Sequence, residues 1–128
     1  MSPGNQNKFL FFVNLIFFIF FTNYVHAENV TGYSVTLGGL DKITAKFTEF
    51  QVDVGSSILF GSLKIKIIKC EKRPPEEIPE DFVLLKIDDE INKNSPVNVF
   101  SGWMLSSSPS LSPLEHSTYD IWVKDCKI

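Results

Sequence analysis

The stretch Leu63-Lys64-Ile65-Lys66-Ile67-Ile68-Lys69-Cys70 decides the fold. Apolar Leu63, Ile65 and Ile67 alternate with Lys64 and Lys66, a period of two that suits a strand with one buried and one solvated face. Ile68 and Cys70 fall on the opposite phase, so the alternation slips once before the strand ends. The same period recurs on both sides. Residues 30–37 form a β-prone run that the spacing ends at Gly38-Gly39. Ile43, Ala45 and Phe47 alternate with polar partners, then Phe50, Val52 and Val54 continue out of phase, which predicts a bulge near Thr48-Glu49. Gly55-Ser56 and Gly61-Ser62 are turn signals around a short strand at 58–60. Further strands are expected at 82–91, 97–105 and 119–126, with one helical turn at 114–116. No segment sustains a 3.6-residue period. About seven short strands predict an all-β domain, a small antiparallel β-sandwich or barrel.

Residues 9–21, FLFFVNLIFFIFF, contrast with everything that follows. Lys8 precedes this run of 13, and Val25-His26-Ala27 follows with small residues where a signal peptidase reads. A spanning helix needs roughly 20 apolar residues. The pattern predicts a secretory signal peptide at 1–27 and a single domain at 28–128. The protein is then expected to be periplasmic. The alternative is an uncleaved leader that anchors it to the inner membrane. Lys8 is the sole charged residue among the first 27, so the remainder holds 11 basic and 15 acidic residues, net −4. That balance excludes a basic nucleic-acid footprint and gives no net attraction to anionic lipid.

Export places the two cysteines, Cys70 and Cys126, where disulfides persist. They are 56 positions apart, unlike the close spacing of redox pairs, and a structural bridge is expected. With both thiols paired and His116 the one histidine after residue 27, no metal site or cofactor is expected.

The segments GGLDKIT at 38–44, CEKRPPEEIPE at 70–80 and VFSGWMLSSSPSLSPLEHSTYDIWVKDC at 99–126 carry a resemblance. Together they resemble the short exported proteins of alphaproteobacteria grouped as domain-of-unknown-function family 2155. The likeness covers nearly all of the chain after the leader. Ser117 stands where the family often has proline after the Leu-Glu-His histidine. The family has no established activity, so the resemblance implies export, a β fold and an accessory role at the envelope, and no mechanism.

Three constellations are candidates for function. The run Arg73-Pro74-Pro75-Glu76-Glu77-Ile78-Pro79-Glu80 reads as an extended, polyproline-like loop. It is either a stiff acidic docking peptide or a solvated connection. Trp103, Tyr119 and Trp122 are candidate interface anchors or ordinary core residues. Trp122 is the informative one, because its phase opposes Tyr119, Ile121 and Val123. Glu115, His116 and Asp120, with nearby serines, form a candidate polar or pH-sensitive site, and a hydrolase triad is a weak alternative because triads are geometric objects. These readings favour a non-catalytic binding or accessory subunit of a cell-envelope or inner-membrane protein complex. Arg73, Pro74, Pro75, Glu76, Glu77, Trp103, Tyr119 and Trp122 are the expected partner-binding residues. The alternatives are a small envelope hydrolase, or a carrier of a small ligand or lipid.

Overall fold

The computed structural model describes residues 3–20 and 26–128. The described strands are β1 (Val30–Thr31), β2 (Ser34–Asp41), β3 (Lys46–Asp53), β4 (Ser57–Phe60), β5 (Leu63–Lys72), β6 (Asp81–Asp89), β7 (Val97–Leu105) and β8 (Tyr119–Lys127). Every described pairing is antiparallel. One sheet runs β1-β5-β6-β7, with β4 also on β5, and the other runs β3-β2-β8. The all-β, disulfide-closed sandwich is therefore the fold.

The core lies between the sheets. Leu63, Ile65, Ile67, Val83, Leu85 and Ile87 of the larger sheet are fully buried, as are Val35 and Leu37 opposite them. Burying one such side chain stabilises by roughly 1.5–3 kcal/mol. The Cys70–Cys126 disulfide joins β5 to β8, one strand from each sheet. Gly32 sits against it. A Cβ there would lie 2.3 Å from Cys126 Sγ and 2.6 Å from Cys70 Sγ, so glycine is what lets the chain pass from β1 to β2 over the bridge.

The phase slip in β5 is a true bulge. The register with β6 shifts between Ile67 and Lys69, leaving Ile68 as the extra residue, half exposed on the outer face. The bulge expected at Thr48-Glu49 is absent, because β2 and β3 pair without a register shift. The apparent slip arises because Phe47 faces outward while Phe50 and Val52 face inward, so both phases of one strand carry an apolar residue. A different bulge, at Lys124 in β8, lies opposite Thr36-Leu37.

Three other boundaries differ from expectation. β2 continues through Gly38-Gly39 to Asp41, and β3 starts at Lys46 rather than Ile43. Asp41 Oδ1 accepts the amides of Ile43 and Thr44 at 2.9 and 3.1 Å, a side-chain-stabilised turn that removes those residues from the strand. Residues 114–116 are not helical, and a turn of 3-10 helix lies instead at Pro109–Leu111.

Pro3–Phe20 forms an α-helix, α1, whose Phe9, Leu10, Phe11 and Phe12 are exposed. Among the described residues no helix is long and apolar enough to cross a membrane. Phe21 of the apolar run and Val25 of the expected cleavage motif lie outside the described residues.

Candidate functional site

The sheet register sorts the candidate residues onto separate surfaces. Lys69 pairs with Leu84 and Leu84 with Trp103, while Glu71 pairs with Phe82 and Phe82 with Leu105. Paired residues share a face, and this one points away from the core. Trp103 is 40% exposed and Ile68 48%, beside half-buried Phe82, Leu84 and Leu105. Arg73 closes one end, its guanidinium carbon 5.5 Å from the Phe82 ring centroid. A cation held there is attracted by the ring quadrupole.

The proline loop after Arg73 is folded on itself, not extended. The Arg73 amide donates to the Glu80 carbonyl at 3.0 Å, and the Glu77 amide to the Pro74 carbonyl at 3.0 Å. Arg73 Nη1 donates to the Ile78 carbonyl at 3.4 Å, and its Nε lies 3.9 Å from the Glu77 carboxylate. These contacts close a β5–β6 connection, which a free polyproline segment would lack. Pro74 is buried; Pro75, Glu76 and Glu77 remain exposed.

Glu80 and Asp81, at the loop's far end, are buried acids that sequence reasoning missed. Glu80 accepts the Ser107 amide at 3.0 Å, the Ser106 hydroxyl at 3.1 Å, and the Ser107 hydroxyl in a short contact. Burial alone would raise its pKa. The hydrogen bonds from Ser107, Ser106 and the Asp81 amide outweigh that and hold it below the usual carboxylate value. Asp81 Oδ2 lies 3.0 Å from the same Ser106 hydroxyl, whose one proton it shares with Glu80, and Asp81 Oδ1 accepts the Cys126 amide at 3.3 Å, with Lys72 Nζ 3.5 Å away. Lys72 also donates to Asp125 at 2.8 Å, and chiefly that bond raises its pKa. The serine-rich run is thus the anchor of the proline loop. The signal for it was two acids next to a strand start and a cluster of hydroxyls, separated by 25 to 27 positions.

His116 is committed to its own loop. Its Nδ1 accepts the amides of Thr118 and Tyr119 at 3.1 and 3.2 Å, and its Nε2 lies 3.1 Å from Asp89 Oδ2. Accepting two amides places the proton on Nε2, donating to Asp89. The Asp89 carboxyl is held below its ordinary value, first by the Ser62 hydroxyl and then by His116. Asp120 instead pairs with Lys42 at 3.2 Å, and Glu115 is exposed. The three candidate residues therefore do not converge. With both ring nitrogens taken, His116 has no lone pair directed at a serine, and the geometry a triad needs is not built.

Tyr119 and Trp122 part company as well. Tyr119 packs edge-on to Phe60 with centroids 5.5 Å apart and stacks on His116 at 5.5 Å, beneath the Gly61 turn. Trp122 lies on the outer face of the smaller sheet, stacked with Phe47 at 5.7 Å and 18°. Trp103 and Trp122 thus occupy opposite outer faces of the sandwich.

A bacterial family described as "Uncharacterized protein conserved in bacteria" (DUF2155) matches residues 35–126, the whole sandwich apart from its first strand and last residues. The chain belongs to this family. One relative, the "Uncharacterized protein RP359" of Rickettsia prowazekii (strain Madrid E), is 40% identical over 87 residues. That alignment covers 68% of this chain and 56% of the relative, so the chain matches little more than half of that protein's length. No solved structure matches.

Proposed function

We propose that this protein is an exported, periplasmic, non-catalytic domain that docks on another protein of the cell envelope through the outer face of its larger sheet. The observation that carries the reading is the outward-facing group of Arg73, Phe82 and Trp103, with Ile68 and Leu84 on the same face. Trp and Arg are the residue types that most often anchor protein interfaces. Arg73 is held by the Ile78 carbonyl, Glu77 and the Phe82 ring, so little of its side-chain freedom is lost on docking. The apolar run at 9–21 supports export, and the commitment of His116 to its loop argues against a hydrolase.

The test is crosslinking in intact cells, then capture of the tagged full chain and mass spectrometry. A stoichiometric envelope protein is expected with the wild type and lost with Arg73→Ala plus Trp103→Ala. Recovery of the same partner with the double variant at unchanged yield removes this face from the reading. Recovery of the chain alone, under conditions that preserve envelope complexes, removes the binding function.

A further inference from the structure

Among the described sheet edges, β7 is the long one without a charge. β3 and β8 border the smaller sheet, and β7 borders the larger one on the side away from β1 and β4. β3 carries Lys46, Glu49 and Asp53, and β8 carries Asp120, Lys124, Asp125 and Lys127. β1 and β4 are two and four residues long. β7 has nine residues, with no charged side chain and no proline. Charges, prolines and short length keep most sheet edges from pairing with another chain, and β7 has none of the three. Its one interruption is a bulge at Val99, where the register with β6 shifts.

Beyond that bulge the backbone turns outward at alternate residues. The Ser106 amide donates to the Asp81 carbonyl at 3.1 Å, and the pairs Leu105–Phe82, Trp103–Leu84 and Ser101–Lys86 follow in the same register. Bonded and non-bonded pairs alternate along an antiparallel ladder. Counted back from Ser106, Leu105, Trp103 and Ser101 fall in non-bonded pairs, so their N–H and C=O groups point away from β6. Among the described residues no strand pairs with β7 on that side. Ser101 and Trp103 are exposed. On the inner side, a Cβ added to Gly102 would meet Phe100 alone, at 3.8 Å or more, so the edge is open there.

We propose that two copies of this chain pair antiparallel through β7, about a two-fold axis at Trp103. The stretch complements itself in three ways. Trp103 would exchange backbone hydrogen bonds with the partner's Trp103, and Ser101 with the partner's Leu105, so each outward group is matched. Gly102 would face the partner's Met104, whose unbranched side chain suits an irregular gap. No like charges would oppose each other across the new ladder. A strand of unrelated sequence would meet the first condition alone. The pair is closed, because each β7 edge is used once. Five residues a side is small against the roughly 20–30 of a standard interface, so the association is reversible. It rests on backbone register and stands or falls independently of the docking reading.

The experiment is oxidative trapping of the full chain carrying Ser101→Cys and Leu105→Cys, in mild detergent at high micromolar concentration. The two positions are four residues apart on one strand, roughly 13 Å, too far to bridge within a chain. Across the two-fold axis they would lie about 5.5 Å apart, within disulfide reach. Both native cysteines are already bridged. The expected result is a covalent dimer whose linkage maps by mass spectrometry to 101–105, absent from a Ser57→Cys/Leu59→Cys control on β4. Adding Trp103→Pro should cut the trapped dimer about tenfold, since proline removes an outward N–H and takes no bond from the β6 ladder. Trp103→Ala keeps that amide and should cut it less. A 101–105 linkage no more abundant than linkage in the control overturns the proposal. So does trapping that is equal in the Trp103→Pro and Trp103→Ala backgrounds.

Discussion

Opening the Cys70–Cys126 bridge is expected to remove a large share of the stability. The bridge spans a sequence separation of 56, and the chain-entropy relation puts the constraint on the unfolded state at about 4 kcal/mol. Both cysteines are fully buried between the sheets, so alanines in their place lose packing without exposing anything new. Domains of this size are stable by about 5–15 kcal/mol in total, so the loss is a quarter or more. At roughly 4–8 °C per kcal/mol the midpoint should fall by about 15–30 °C. The assay is guanidinium unfolding of the Cys70→Ala/Cys126→Ala variant against oxidised wild type, with reduced wild type as the control. A loss below about 1 kcal/mol refutes the reasoning, because it means that sheet pairing alone holds the two layers together. Gly32→Ala probes the same spot from the other side. Its Cβ would press on both sulfurs and on the Lys127 carbonyl at 2.6 Å, at a cost of about 1–3 kcal/mol. That cost should shrink, without vanishing, when the cysteines are already alanine.

Glu80→Ala should destabilise by about 1 kcal/mol in urea unfolding, since the Ser106 and Ser107 donors lose the Glu80 carboxylate while Ser106 keeps Asp81 and Ser107 can turn to water; an effect near zero means that water replaces the carboxylate. The carboxyls of Glu71, Glu80, Asp88 and Asp89 all sit below their ordinary values in the folded protein. Their stabilisation is complete above the unfolded values, about 4, and is lost as pH falls through the lowered ones. Thermal midpoints should hold from neutrality to about pH 5 and drop below pH 4, and Asp89→Asn should make that drop shallower. Trp103→Ala, at a site 40% exposed, should change stability by under about 1 kcal/mol while abolishing partner capture. A large loss of stability would reassign Trp103 to the packing of the sheet.

Much of the fold was legible because period-two patterning is a direct consequence of one buried face. The β5 run and its slip at Ile68 are the clearest case, and the spacing of Cys70 and Cys126, read with the expected export, pointed to the bridge. What was not legible depended on contacts between distant segments. The closed form of the proline loop rests on Arg73 meeting Phe82, Glu77 and Ile78. The role of Glu80 and Asp81 rests on Ser106 and Ser107, some 25 residues away. The candidate site divided for the same reason. Phase along β8 placed Trp122 opposite Tyr119 correctly, yet no linear pattern told that Trp103 and Trp122 would stand on opposite sides of the sandwich. The proximity of Glu115, His116 and Asp120 in sequence misled, because His116 turns to Asp89 and Asp120 turns to Lys42.

The Gly38-Gly39 pair shows how one short motif carries two meanings. Read alone it ends a strand, since glycine weakens strand interiors. In the sandwich β2 runs through it because each glycine makes room on a different face. A Cβ on Gly39 would lie 2.8 Å from Phe60 and 3.0 Å from Phe50 on the core side, and one on Gly38 would strike the Trp122 indole on the outer side. The two alanine variants should therefore fail in different ways. Gly39→Ala should lower stability by about 1–3 kcal/mol through overpacking. Gly38→Ala should lift the indole off the sheet, and in a Trp103→Phe background this appears as a red-shifted emission of Trp122 with a smaller loss of stability. Equal losses and an unmoved emission would mean that the indole has room to slide aside, and that Gly38 does not fix the ring against the sheet.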